Sequence, residues 1–234
     1  MRIMKRGWGL FFRQTFRDML CGWRTWEYVW LLGAPAGIVI LSLLLRDTLL
    51  SIAASVTGVL YVILAAKGKL AAYLFGTVNC VLYAIVAYRQ TLYGETWLNL
   101  LYYLPLQAVG FCLWRRQMDG EKKTVLPRQM GIKGRMVLFG SVLLFTWTLG
   151  IVLQKFGDAL PFIDAFTTVA SVVAVTLSAQ RFCEQWVLWM AVNALSIYMW
   201  WERYCLNGEN IATLFMWLIF LITAFYGFFN WRRA

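Results

Sequence analysis

Eight stretches of about 20 predominantly apolar residues, the length a helix needs to cross a hydrocarbon core of about 30 Å, dominate this chain. They lie at 26–45, 48–66, 70–88, 96–114, 136–153, 161–180, 185–201 and 210–230. Inside lipid no water is present to bond the backbone, so each run must satisfy its own amides as a helix. The expected fold is an all-α integral membrane protein with eight transmembrane helices. The composition agrees: 61% of the residues are apolar and 14% charged, against roughly 45–50% and 25% in a soluble domain.

Orientation follows from the 22 basic residues, because Lys and Arg near helix ends are retained on the cytoplasmic side. With the N-terminus inside, only Arg46, Arg89, Lys155 and Arg203 fall outside. The formal charge of +11 therefore reports topology and contact with anionic headgroups, and no nucleic-acid partner is expected. Both termini are expected in the cytoplasm. In the first 22 residues Trp8, Phe12, Phe16 and Leu20 share helical spacing, with Arg13 and Arg17 on another face, as in an interfacial helix. Ala34-Pro35-Ala36 mimics a signal-peptide cleavage site, but the apolar run continues past it.

The chain has no His, and its five Cys form no C-x-x-C pair. That removes histidine-based triads and the usual zinc, haem and di-iron sites, so no metal or cofactor is expected. No nucleophile with a positioned base can be assembled at one depth, and an enzyme is not expected.

An internal similarity organises the rest. Leu101, Leu104, Gly110, Phe111 and Trp114-Arg115-Arg116 recur as Leu218, Leu221, Gly227, Phe228 and Trp231-Arg232-Arg233, each displaced by 117. The same displacement carries Asp47 onto Asp164 and Ala53 onto Ala170. The implied organisation is an N-terminal segment with an extra helix (1–46), a first three-helix repeat (47–116), a basic loop with a linker helix (117–160) and a second three-helix repeat (161–234). Because the linker helix returns the chain to its starting side, the repeats are expected to be parallel. Secondary transporters built this way place substrate near the membrane midplane between the halves.

Amide side chains within spans mark candidate contacts, since a buried amide lacking a partner is costly in hydrocarbon. Asn79 lies in a run with Tyr73, Gly76 and Tyr83, and Trp186, Trp189 and Asn193 share one helix face at spacings of three and four. Two indoles with an amide one turn on suit a planar ring and its substituent. The competing reading makes the tryptophans belt residues and the asparagines glue between helices. The third helix of the first repeat adds Asn99, Tyr103, Pro105 and Gln107, where Pro105 frees a backbone carbonyl; its counterpart has Phe220, Ile222 and Ala224, which implies an asymmetric pocket. Arg181 and Glu184 mark the inner edge of the seventh helix, while Asp47, Asp164, Glu202 and Glu209 fall near outer ends. No carboxylate relay crosses the middle, so proton coupling has weak support, while backbone carbonyls leave a sodium site open.

The three-one-three helix pattern, the Trp186/Trp189/Asn193 face and the closing Leu-Ile-Phe-Leu…Gly…Trp helix (218–231) resemble the PnuC family of bacterial vitamin transporters, from about Asp47 to the C-terminus. The architecture is shared with the SWEET sugar transporters. The resemblance implies uptake of nicotinamide riboside for NAD biosynthesis, by facilitated diffusion across the inner membrane with cytoplasmic phosphorylation trapping the product, and it implies a homotrimer. Thiamine, riboflavin or a sugar on the same fold, and a non-transporting scaffold or sensor, are the alternatives. A cationic pyridinium between Trp186 and Trp189 gains cation–π attraction of order 1–2 kcal/mol where water is excluded. Asn193, Asn79 and Gln107 then serve its carboxamide or hydroxyls. Rocking of one three-helix bundle against the other is the expected transport step.

Overall fold

The computed structural model describes residues 15, 18–46, 48–89, 96–121, 123–157, 160–207 and 211–233. Eight α-helices run through these described residues: α1 (Thr25–Leu44), α2 (Leu49–Ala66), α3 (Ala72–Arg89), α4 (Leu104–Arg115), α5 (Ile132–Lys155), α6 (Pro161–Ala179), α7 (Gln185–Asn207) and α8 (Ile211–Arg233). Each falls on one of the expected apolar runs; α4 starts eight residues into its run, α7 extends six residues past its own, and the other ends shift by at most four. Five spans are long and apolar enough to cross a membrane, namely Thr25–Leu44, Leu49–Ala66, Ile132–Lys155, Pro161–Ala179 and Leu214–Arg233, and Ala72–Val86 is a shorter apolar helix. The chain is thus a multi-pass helical membrane protein. The expected interfacial helix at the N-terminus lies mostly outside the described residues, as do Asp47 and Glu209.

Local chemistry sets the helix boundaries. The Thr48 side chain accepts a hydrogen bond from the Ser51 N–H and caps α2. Pro161 opens α6 where a missing N–H costs nothing. Gly68, at φ +74°, closes α2 in the left-handed conformation glycine favours. Arg181, at φ +68°, does the same after α6, although a side chain there strains the backbone by about 1 kcal/mol.

The fourth run departs from regularity. Pro105 offers no N–H to the Leu101 carbonyl four residues back, and its ring crowds that carbonyl. The chain widens there into a π-helical turn, Leu98–Tyr103, in which Leu104 N–H donates to the Asn99 carbonyl. The freed carbonyl is legible in the sequence; the widened turn is not.

Two compact units divide at Leu126. In the first, α1 packs on α2, α2 on α3 and α3 on α4; in the second, α5 packs on α6, α6 on α7 and α7 on α8. The additional helix α1 is clamped within its unit by Glu27, which is buried and accepts both Lys67 Nζ, at 2.7 and 2.8 Å, and the Arg24 N–H at 2.6 Å.

The loops joining α2 to α3 and α6 to α7 share one hydrogen-bond pattern. Lys69 N–H donates to Leu64 O at 2.8 Å and Tyr73 N–H to Leu70 O at 3.2 Å; Phe182 N–H donates to Leu177 O at 2.9 Å and Trp186 N–H to Cys183 O at 3.1 Å. These counterparts stand 113 positions apart. The connector bonds both loops alike, through Val125 N–H to Gly68 O at 2.8 Å and Arg128 N–H to Arg181 O at 2.7 Å. The loops and the third helices thus differ in displacement: 113 relates Gly68 to Arg181 and Tyr73 to Trp186, whereas 117 relates Gly110 to Gly227 and Trp114 to Trp231.

Candidate functional site

In the first unit, α3 turns Tyr73, Gly76 and Cys80 toward α4. The Tyr73 ring lies against the bare Cα of Gly110 and stands edge-on to Trp114, with centroids 4.9 Å apart at 87°. One turn earlier on α4, the Gln107 amide lies against Gly76. Gln107 is 4% exposed; its Nε2 reaches Cys80 Sγ at 3.9 Å, and its Oε1 has no hydrogen-bond partner. Asn79 faces the other way. Its Nδ2 donates to the Ala54 carbonyl on α2 at 2.8 Å, so this amide ties two helices together. Tyr83 is half-buried on α3, Asn99 is buried in the π-helical turn, and Tyr103 is half-buried with its ring 5.8 Å from Tyr102. These three lie toward the end where Thr96 Oγ1 donates to the Ala84 carbonyl at 3.5 Å.

In the second unit the expected α7 face is present, but its members do different work. Trp186 is 2% exposed and lies flat on Gly227; a methyl group there would come within 2.7 Å of the indole. Its ring also stands edge-on to Trp231, at 5.6 Å and 83°. Packing inside the unit thus takes up this indole. Trp189 is half-buried and packs against the cluster containing Ala170, Ala174 and Leu177. Asn193 is 2% exposed, and its Oδ1 has no hydrogen-bond partner.

The two units fill one layer with opposite sizes. In the first, Tyr61 of α2 and Gln107 of α4 meet over Gly76 of α3. At the corresponding positions the second unit has Ala174, Ala224 and Trp189. Trp189 packs on the Ala174 cluster, and Ala224 on α8 is fully buried. By sequence position tyrosine, glycine and glutamine in the first unit stand where alanine, tryptophan and alanine stand in the second.

Two orphaned amide oxygens, Gln107 Oε1 and Asn193 Oδ1, each cost about 1–3 kcal/mol while buried without a donor. A donor arriving with a ligand removes that cost. Among the described residues the basic side chains occupy helix ends and connecting segments, which leaves these amides without an adjacent cation suited to a phosphate.

At one end of the second unit Glu184 is buried, and its Oε1 accepts Arg135 Nε at 2.8 Å and the Met130 N–H at 3.1 Å. Its partner is thus Arg135 of α5, not the neighbouring Arg181. Burial, with Glu184 adjacent, pushes the Cys183 thiol up to about 11. Sequence reasoning did not single out Gln185, which is 1% exposed with its Nε2 lacking a partner. A polar residue at the first position of an apolar helix carries no signal of burial.

Comparison with known proteins follows from this geometry. A family model described as nicotinamide mononucleotide transporter matches residues 48–233. A nicotinamide riboside transporter PnuC of Neisseria mucosa is 37% identical over 225 residues, spanning 93% of this chain and 84% of the relative. That of Haemophilus influenzae is 30% identical and spans 93% and 94%. A solved structure described as the vitamin B3 transporter PnuC superposes with a TM-score of 0.82 at 36% identity, over 93% of this chain and 94% of the other.

Proposed function

The chain belongs to the nicotinamide mononucleotide transporter family, and from that premise we propose that it imports nicotinamide riboside across a bacterial inner membrane. The observation that carries the choice of riboside is the buried, unpartnered Asn193 Oδ1 on the same helix as Trp189; Gln107 Oε1 offers the same chemistry within its own unit. Both accept hydrogen bonds, as a carboxamide N–H or ribose hydroxyl requires. Neither is accompanied by the cationic cluster that a phosphorylated nucleotide calls for. Trp189, half-buried on the same face as Asn193, supplies the aromatic surface for a cationic pyridinium. Trp186 supports that face from within the core. Asn79, Tyr73, Tyr83, Asn99 and Tyr103 line or brace the path in this reading.

Transport proceeds by alternating access and facilitated diffusion. Among the described residues no carboxylate relay is available to couple protons, and phosphorylation in the cytoplasm keeps the gradient inward. The topology is eight crossings, an extra first helix followed by two three-helix repeats around a linker helix, with both termini inside. Assembly into a homo-oligomer uses the exposed apolar faces of α1 and α5, such as Leu32 at 69% and Leu143 at 65% exposed.

The test is uptake of labelled nicotinamide riboside into proteoliposomes. Label should equilibrate without accumulating, remain indifferent to proton and sodium ionophores, and be displaced by the unlabelled riboside far better than by thiamine, riboflavin, a sugar or the mononucleotide. Accumulation against a gradient overturns facilitated diffusion, and preference for another ligand overturns the substrate.

A further inference from the structure

The first unit holds a cavity of about 280 Å³ at the end where α2 gives way to α3 and α4 stops. Leu70 and Ala71, both buried, supply apolar lining. Around them stand Asp18 from the segment before α1, Arg115 from the last turn of α4, and Asp119 and Lys123 from the connector.

The connector wall is held in place. It turns back on itself as Met118 pairs with Val125, with the Asp119 N–H donating to the Thr124 carbonyl at 2.8 Å and the Lys123 N–H to the Asp119 carbonyl at 3.0 Å. Lys69, 1% exposed, anchors this turn through Nζ, which donates to the Lys123 carbonyl at 3.1 Å. Lys123 itself sits at φ +53°, a left-handed conformation that costs a residue with a side chain about 1 kcal/mol and that glycine enters freely.

Both signs of charge face one space. Asp18 and Lys123 are half-buried, and among the described residues neither joins an ion pair. The Asp18 charge is felt at the buried Lys69 ammonium, which sets that carboxylate beside the anchor of the turn. Asp119, whose Oδ1 also accepts the Glu121 N–H at 2.8 Å, and Arg115 add one charge of each sign. A simple anion entering here meets two carboxylates, and a simple cation meets a guanidinium and an ammonium; a solute carrying both signs is matched by both pairs. The volume stands near the lower limit of small-molecule pockets, roughly 300 Å³, which suits a headgroup or a mononucleotide and is too small for a dinucleotide.

We propose that this cavity binds a small zwitterion in which a phosphate is joined to an organic cation. Arg115 and Lys123 take the phosphate oxygens through charge-assisted hydrogen bonds, and Asp18 and Asp119 take the cation. Two sources supply that chemistry. Because α2 is an apolar span, its end lies at headgroup depth, where a phosphoethanolamine lipid presents ammonium and phosphate together. On the proposed topology the same end faces the cytoplasm, where phosphorylation of a pyridinium riboside yields a soluble zwitterion of the same kind; that source rests on the proposed function, whereas the cavity does not.

The test uses the full chain in uncharged maltoside detergent, titrated separately with short-chain phosphatidylethanolamine, nicotinamide mononucleotide, inorganic phosphate and nicotinamide riboside. Thermal unfolding and calorimetric binding are read together. At least one zwitterion should bind the wild type more tightly than inorganic phosphate does. D18N and K123Q should each weaken that zwitterion about tenfold. K123G, relieved of backbone strain, should fold at least as well as the wild type and lose the same affinity. The double variant R116Q/E121Q, which removes exposed charges outside the cavity, should respond like the wild type. All these variants should bind the riboside unchanged, so failure of riboside binding in the wild type tells against the transport reading and leaves the cavity standing. A variant-sensitive response to phosphatidylethanolamine identifies a lipid headgroup as the occupant, and one to the mononucleotide identifies a soluble nucleotide. If neither zwitterion binds, if D18N, K123Q and K123G bind both as the wild type does, or if inorganic phosphate binds as tightly as either, the proposal fails.

Discussion

Trp186 rests its indole on the bare Cα of Gly227, and Tyr73 meets Gly110 in the same manner in the other unit. Each aromatic ring is then met edge-on by the tryptophan that follows the glycine by four positions. A methyl group at either glycine must displace a ring held on two sides. Gly227→Ala and Gly110→Ala should each lower stability by about 1–3 kcal/mol, measured as a drop in melting temperature in detergent, with nicotinamide riboside affinity changed less than stability.

The two candidate indoles should separate cleanly. Trp186→Ala empties a fully buried site and should cost about 3–5 kcal/mol, lowering the yield of folded protein. Trp189→Ala, at a half-buried position on the Ala174 cluster, should lose less stability than Trp186→Ala yet bind the riboside at least tenfold more weakly by calorimetry. Unchanged affinity in Trp189→Ala removes that residue from the site.

Asparagines of similar appearance should behave in opposite ways. Asn193→Leu and Gln107→Leu eliminate an orphaned buried oxygen, so stability should hold or rise while riboside affinity falls about tenfold or more. Asn79→Leu breaks the bond to the Ala54 carbonyl and should cost about 1 kcal/mol. Paired melting and binding curves decide; a large loss of stability in Asn193→Leu contradicts the ligand role.

Breaking the Arg135–Glu184 pair from its two sides should be unequal. Arg135→Met strands a buried carboxylate and should cost about 1–2 kcal/mol, discounted because Arg135 is 36% exposed. Glu184→Gln keeps an acceptor for the Met130 N–H and should cost less. Denaturation of both variants side by side gives the order.

Lys69 supplies a pH dependence. It is 1% exposed, donates to the Lys123 carbonyl at 3.1 Å, and desolvation, with Lys67 nearby, lowers its pKa to about 8. An unfolded lysine titrates near 10.4. Between these values the unfolded chain holds a proton the folded one has lost, so this residue's contribution to stability should rise from about pH 8 to pH 10 and stay flat below. Thermal unfolding of Lys69→Met across that window should lack the rise.

The sequence discloses helix positions because lipid imposes a length and a hydropathy that packing cannot override. The runs at 48–66 and 161–180 reappear as α2 and α6 almost residue for residue. It discloses less about faces. Trp186, Trp189 and Asn193 do share a side of α7, but spacing alone cannot say that Gly227 will claim Trp186. Nor does it separate Asn79, bonded to a backbone carbonyl, from Asn193, left without a bond. Partner choice depends on the neighbouring helix, and one-dimensional periodicity carries no information about that neighbour. The displacement of 117, which relates the third helices, does not carry over to the loops, whose matching hydrogen bonds stand 113 apart.

The inverted layer formed by Tyr61, Gly76 and Gln107 in one unit, and by Ala174, Trp189 and Ala224 in the other, makes helix grafting between halves self-defeating. A hybrid with α8 transplanted beside α3 would set alanine over glycine and leave a void, whereas α4 beside α7 would drive glutamine into an indole. A breeder of altered substrate preference who changes one of these positions therefore has to change the neighbours it packs against as well.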